Sequence, residues 1–399
     1  MISARVRRLG GGLARAAAAA LLGAALVGGV VGGTSASGRS TRGAVSAPVS
    51  AAAASTPAGH AVPAGAQATS VSFVSSQTAF VLGQSPCGKT QCTVILRTEN
   101  RGRSWVALAA PAEPVGLEFV KRGLWGVRFA DARRGFAYGY GLWQTSDGGA
   151  SWQRAAVPGG GSVLAFAAVA DRELVAATID CAPNQICNKA TSLYHRSLTG
   201  GSWQRFASPS GTAVAVHGDV VWLSFGTGLL VSSDSGRSFR TVSVPSQCRT
   251  PGGGLSSISD DGPHTYLLCI TNAATGRSSK VVFRETGTAA AWTTVGYPPR
   301  FGTATELAAG NDSNIVLATW SAFSALLRSG NAGKNWKNVL EYADGGAGFG
   351  DLGFASARDG DVIHGPRQAA LGVAAAPGSP FGQLLLTDDG GLTWKATKF

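Results

Sequence analysis

The sequence predicts an all-β fold, a seven-bladed β-propeller. Three observations carry this: a recurring turn motif, the regular spacing of its copies, and a composition suited to many short buried strands. The motif reads Ser/Thr-x-Asp/Asn-x-Gly-x-polar-aromatic. It occurs as Thr98-Glu-Asn-Arg-Gly-Arg-Ser-Trp105, Thr145-Ser-Asp-Gly-Gly-Ala-Ser-Trp152, Ser232-Ser-Asp-Ser-Gly-Arg-Ser-Phe239, Ser329-Gly-Asn-Ala-Gly-Lys-Asn-Trp336 and Thr387-Asp-Asp-Gly-Gly-Leu-Thr-Trp394. Two worn copies, Ser197-Leu-Thr-Gly-Gly-Ser-Trp203 and Glu285-Thr-Gly-Thr-Ala-Ala-Ala-Trp292, fill the largest gaps and bring the count to seven. The wear of the copy ending at Trp292 leaves a six-bladed ring with one irregular insertion as the alternative.

Each copy reads as a hairpin turn. Asn100, Asp147, Asp234, Asn331 and Asp389 accept bonds from the turn's own N–H groups, and the following Gly supplies the positive φ of a tight return. The terminal aromatics Trp105, Trp152, Phe239, Trp336 and Trp394 then open the next strand and form a packing ring. Spacing from Trp105 to Trp394 averages about 48 residues per unit, the length of four short strands and their turns. Gly at 56 residues, charged residues at 14% and hydrophobic residues at 44% fit strands buried on both faces, with no long helix.

These motifs resemble the Asp-box, or BNR, repeats of a propeller class that includes sialidases, sortilin-type receptors, xyloglucan-cleaving hydrolases and photosystem II assembly factors. The resemblance covers Ser70 to Phe399. A second signature, Gly126-Val-Arg-Phe-Ala-Asp-Ala-Arg-Arg-Gly-Phe-Ala-Tyr-Gly139, recurs loosely at Val71 to Gly83 and at Leu352 to Asp361. Its pairing with the Asp box is most similar to the photosystem II assembly factor branch, which implies a binding scaffold. In that branch basic patches are implicated in partner binding, and Arg128, Arg133 and Arg134 form a basic cluster near the hairpin.

Residues 1–36 read as a signal peptide. Arg5, Arg7, Arg8 and Arg15 form a positive segment, Ala16 to Val31 is apolar, and Thr34-Ser35-Ala36 is a small-residue cleavage site. The apolar run falls short of the ~20 residues needed to span a bilayer, so cleavage is expected, leaving no stable transmembrane span. The Arg7-Arg8 pair leaves Sec and twin-arginine export both open. Residues 37–69, rich in Ala, Ser, Pro and Gly with no acid, form a flexible spacer, and residues 70–399 form the propeller. The expected location is secreted, or associated with the cell wall or periplasm, in a bacterium.

Six Cys fall as close pairs, Cys87 with Cys92, Cys181 with Cys187, and Cys248 with Cys269, which predicts disulfides in an oxidising compartment. None has the CxxC spacing of a metal or redox site, so neither metal nor cofactor is expected. In the first unit the strands are read as Val71 to Phe73, Ala79 to Gly83, Thr93 to Arg97 and Trp105 to Leu108. Alternating strand direction puts the bridges and the long connections on the face opposite the Asp-box turns, which is the candidate recognition face.

That face is basic. Lys121, Arg122, Arg249, Arg300 and Arg367 lie in its loops, with Trp320 and Tyr342 as aromatic contacts. The net charge is +12, or +8 without residues 1–36. The partner is therefore expected to be a protein, or an acidic glycan or cell-wall polymer, bound by a monomer through Arg contacts. No nucleic-acid motif is present.

Enzyme readings find less. Resemblance to sialidases implies an Arg triad on a substrate carboxylate, a Tyr nucleophile with Glu, an acidic Asp and an early Arg-Ile-Pro motif, and that motif is absent. Arg249, Arg300 and Arg367 can form a substitute triad, with Glu341 and Tyr342 on the same face. Glu113, Glu118, Glu341 and Asp344 form no distinguishable carboxylate pair of the glycosidase kind. His60, His195, His217, His264 and His364 are scattered without ligand spacing. The reading is a non-catalytic exported scaffold, with an exo-acting, sialidase-like glycoside hydrolase as the alternative.

Overall fold

A computed structural model describes residues 57–117, 122–169, 173–179, 192–205, 213–217, 220–225, 228–250, 254–261, 263–274, 277–286, 291–372 and 381–399. Among these the chain is all-β. It forms seven four-stranded antiparallel sheets, each made from one contiguous stretch of chain with its strands in sequence order. The innermost strands are Gln67–Phe73, Leu124–Phe129, Ser162–Val169, Ala213–His217, Gly254–Asp260, Thr303–Ala309 and Phe349–Phe354. Each touches the next, and the last returns to the first, so the sheets close into a propeller. Six of the blades are regular, but the hydrogen-bonded sheets among the described residues number seven, and the ring closes only through all of them.

The repeated turns sit between the third and fourth strands of their sheets and share one bonding pattern. In the turn of Thr145, its hydroxyl donates to Asp147 at 2.7 Å and accepts the Gly149 N–H at 2.9 Å, while Asp147 accepts the Ser151 N–H at 3.0 Å. The copies starting at Thr98, Ser232, Ser329 and Thr387 repeat these bonds. Each turn needs two successive positive-φ residues. Gly fills the second place throughout, but the first holds Arg101, Ser235 and Ala332 at φ 59°, 62° and 58°. These are three of the four non-glycine residues with positive φ among the described residues, and Asp351 is the fourth.

The aromatic that ends each turn packs into the core shared with the preceding sheet. Trp105 joins Ile363 and Leu384, Trp152 joins Phe80 and Leu82, Trp336 joins Tyr266 and Leu268, and Trp394 joins Val316 and Ala318. The worn copies do the same. Trp292 packs 6.0 Å from Trp222, and its Nε1 donates to the Ser243 carbonyl just as Trp152 donates to Ala109, both at 2.9 Å. The core is therefore a set of wedges between sheets, and Trp125 and Trp222 belong to it.

The first three strands of the first sheet extend beyond the sequence expectation, to Gln67–Phe73, Ala79–Cys87 and Thr90–Thr98, while the fourth, Val106–Leu108, starts one residue later than expected. The Cys87–Cys92 bridge lies within the hairpin, so the ladder runs on to Cys87 opposite Thr90. Part of the expected spacer pairs with the first sheet: His60 exchanges backbone bonds with Ala107 on the outermost strand, covering that edge. Cys248–Cys269 ties the connection after the fourth sheet to the fifth. Cys181 and Cys187 lie outside the described residues.

Candidate functional site

The face opposite the repeated turns carries an aromatic platform where the sixth and seventh sheets meet. The strand Ile315–Trp320 ends in a tight turn, with the Ser321 N–H bonded to the Phe323 carbonyl at 2.8 Å. Trp320 is 42% exposed and Phe323 39%, whereas the preceding strand residues are buried. The connection 343–348 runs against Trp320, and any side chain at Gly346 would strike the Ser321 carbonyl.

Beneath this edge lies His364, fully buried, with its ring stacked 4.2 Å from Tyr342 and flanked by Phe349 and Phe381. His364 Nε2 lies 2.7 Å from Asp344 Oδ2, and the Gly346 N–H donates to Asp344 Oδ1 at 2.8 Å. Burial alone would raise the Asp344 carboxyl, but bonds from His364, Ser324 and Gly346 outweigh it and hold it below the ordinary carboxylate range. Ser324 Oγ in turn accepts the Gly348 N–H at 2.7 Å. The pair thus fixes the connection that supports Trp320. Ser324 bonds the Asp344 carboxylate and, like His364, is fully buried, so it presents no nucleophile at the surface.

Of the sequence-predicted residues, Trp320 and Tyr342 come together here. Arg367, on the short helix Pro366–Ala370, is exposed in the adjoining loop of the seventh sheet. Arg122, Arg249 and Arg300 are exposed in the connections leading to the second, fifth and sixth sheets. Lys121 and Glu118 lie outside the described residues. Glu341 is exposed and accepts a bond from the Asn338 side-chain amide.

The basic cluster around Arg128 is corrected. Arg133 is exposed and Arg134 pairs with Asp131, but Arg128 is only 4% exposed and belongs to a buried charge cluster on the inner strands. Inner strands bond sideways through side chains, not through a ladder. Ser70 and Ser72 accept the Val127 and Phe129 N–H groups of the second sheet, and Ser257 and Ser259 accept those of Leu307 and Ala309 on the sixth. At two junctions a carboxylate takes this role: Glu306 accepts the Asp351 and Leu352 N–H groups, and Asp351 accepts Val71 N–H and Ser70 Oγ–H.

Arg128 neutralises part of that charge. Burial would lower its guanidinium, but Asp351, Tyr138 and Asp361 overcome this and raise it. Burial and Asp351 push the Asp361 carboxyl up to about 8 against the pull of Arg128, and push Glu306 well up too. These carboxyls are engaged with backbone N–H groups or shut from solvent, so they offer no paired acid and base to a sugar. Sequence reasoning missed both clusters. The Ser-x-Ser spacing on inner strands hinted at one, but Asp344 and His364 are brought together only by the fold.

No protein-family profile matches the chain, and no curated protein does. Among solved structures it is similar to YCF48 bound to a D1 peptide, with TM-score 0.53 and 16% identity over 82% of this chain and 95% of that one. It is similar to U3-55K, with TM-score 0.53 and 10% identity over 81% and 95%. An ancestral GH74 enzyme matches with TM-score 0.50 and 14% identity over 84% of this chain but 46% of that one. At such identities the likeness is one of fold.

Proposed function

We propose that this chain is an exported, non-catalytic propeller scaffold that binds a protein partner through the loop face, with Trp320 as its anchor. The observation that carries this is an exposed Trp320 and Phe323 at a strand end, with Trp320 against a connection that Asp344, His364 and Ser324 tie down, since a preordered aromatic at a surface edge suits recognition. Arg122, Arg249, Arg300 and Arg367 supply a basic rim that favours an acidic partner surface or an acidic wall glycan. YCF48 bound to a D1 peptide shares this fold, which supports a peptide or protein partner over a small substrate. The turns are read as Asp boxes, and two disulfides agree with an oxidising compartment outside the cell. Among the described residues no helix is long and apolar enough to cross a membrane.

The hydrolase alternative rests on the GH74 likeness and on the exposed Arg249, Arg300 and Arg367. Purified protein is tested against acidic peptides and acidic wall glycans, beside fluorogenic sialoside and glycoside hydrolysis. Salt-sensitive binding without turnover, lost in Trp320→Ala, supports the scaffold. Turnover abolished by replacing Arg249, Arg300 or Arg367 overturns it.

A further inference from the structure

On the opposite face, where the repeated turns lie, the first hairpins of the fifth and sixth sheets approach each other. The turn after Gly254–Asp260 carries Asp261 and His264, and the turn after Thr303–Ala309 carries Asp312. We propose that Asp261, His264 and Asp312 form a site for one divalent first-row cation, best matched by zinc, that joins these two sheets.

His264 Nδ1 and one carboxylate oxygen from each Asp lie within 4.8 Å of one another. The Nδ1 to Asp261 Oδ1 separation is 3.7 Å, close to the roughly 3.4 Å between ligand atoms that share a tetrahedral zinc at about 2.1 Å. Nδ1 also lies against Asp312 Oδ1, yet the atom is shut from solvent and makes no aligned hydrogen bond with either carboxylate. The Nδ1–Asp312 Oδ1 contact is closer than two ligands of one ion stand, so uptake of the ion moves the exposed Asp312 carboxylate outward to share it. Two carboxylates and a neutral imidazole balance a divalent charge, and the mixed N and O set favours zinc over magnesium or calcium.

The supporting bonds fit a ligand role. Asp261 is held by the His264 N–H at 2.8 Å and by Tyr266 Oη–H at 3.3 Å, and its side chain is inaccessible. Such outer bonds orient a ligating carboxylate. Asp312 is 52% exposed, which gives an ion its entry and leaves the other coordination positions to water. The site is remote in kind from the aromatic platform and needs nothing from the partner-binding reading.

The test uses the full chain, tag removed, stripped with chelator and then titrated separately with Zn²⁺, Mn²⁺ and Ca²⁺. Calorimetry gives affinity, elemental analysis gives stoichiometry, and thermal unfolding gives the linkage. One equivalent of Zn²⁺ should bind and raise Tm by several degrees, with Ca²⁺ weaker. Asp312→Asn, at an exposed position that the fold tolerates, and His264→Gln should each weaken binding roughly tenfold or more. Trp320→Ala should bind Zn²⁺ unchanged. Substoichiometric binding with no Tm shift for any ion overturns the proposal, as does binding that Asp312→Asn and His264→Gln leave intact.

Discussion

The Arg128 guanidinium on the second sheet bonds the Asp351 carboxylate on the seventh, with Nη2 3.0 Å from Oδ1, while its Nη1 donates to Ser70 Oγ and the Val71 carbonyl of the first sheet between them. Three sheets thus meet on one ion pair at the point where the ring closes. Asp351 holds this position at φ 53°, a conformation that costs a non-glycine residue energy and persists because its carboxylate is so heavily bonded.

Breaking that pair should therefore be severe. Asp351→Ala leaves a buried guanidinium uncompensated and should cost about 3–5 kcal/mol in urea unfolding, with a similar loss for Arg128→Ala. A loss below about 1 kcal/mol, the worth of a surface pair, would show that closure rests on other contacts.

The raised carboxyls give a pH dependence of defined sign. Asp361 titrates at about 8 when folded and near 4 when unfolded, so the folded state holds the extra proton and stability declines as pH rises from about 4 to about 8. Glu306 acts in the same direction. Asp361→Asn should flatten this decline, measured as Tm at pH 5 and pH 8, and parallel slopes for the two proteins would refute the assignment. At the acid end the order reverses. Burial opposes it, but bonds within the turns hold Asp234 and Asp389 at about 2, so their contribution is present above about 4 and fades as pH falls toward 2.

The left-handed residue at the start of the turn pair makes a different prediction. Ala332→Gly relieves the positive-φ cost and should stabilise by about 1 kcal/mol. Gly333→Ala, at φ 83° with the added Cβ only 3.0 Å from the Val295 carbonyl oxygen, should destabilise by at least as much. Calorimetric Tm values of opposite sign check both.

The two described disulfides should differ in weight. Cys248–Cys269 closes 21 residues and its sulfurs are buried, whereas Cys87–Cys92 closes 5 in a hairpin already paired. Loop-closure entropy gives about 3 kcal/mol for the first and about 2 for the second. Paired Cys→Ala variants, compared by denaturant midpoint, should show the larger loss at Cys248 and Cys269.

The turn repeat and its aromatics made the fold legible, because each copy states its own local chemistry: hydroxyl, carboxylate, Gly and wedge lie within eight residues. The loop face was legible as a location, and Trp320 and Tyr342 as members of it. Strand ends were not, since nothing local tells Cys87 that its hairpin continues. Asp344 lies in a connection and His364 at a strand end 20 positions on, and they meet only through packing, while Arg128 read as surface charge because its partner, Asp351, lies 223 positions away. Local grammar carries no trace of such distant pairings.

Because every sheet is drawn from one uncut stretch of chain, no strand is shared between the start and the end of the ring. Whole units can then be gained or lost by recombination without severing a single ladder, and the ring's circumference becomes an evolvable quantity. What such an event must rebuild is small: one carboxylate clasp between newcomers, of the kind Glu306 and Asp351 already provide.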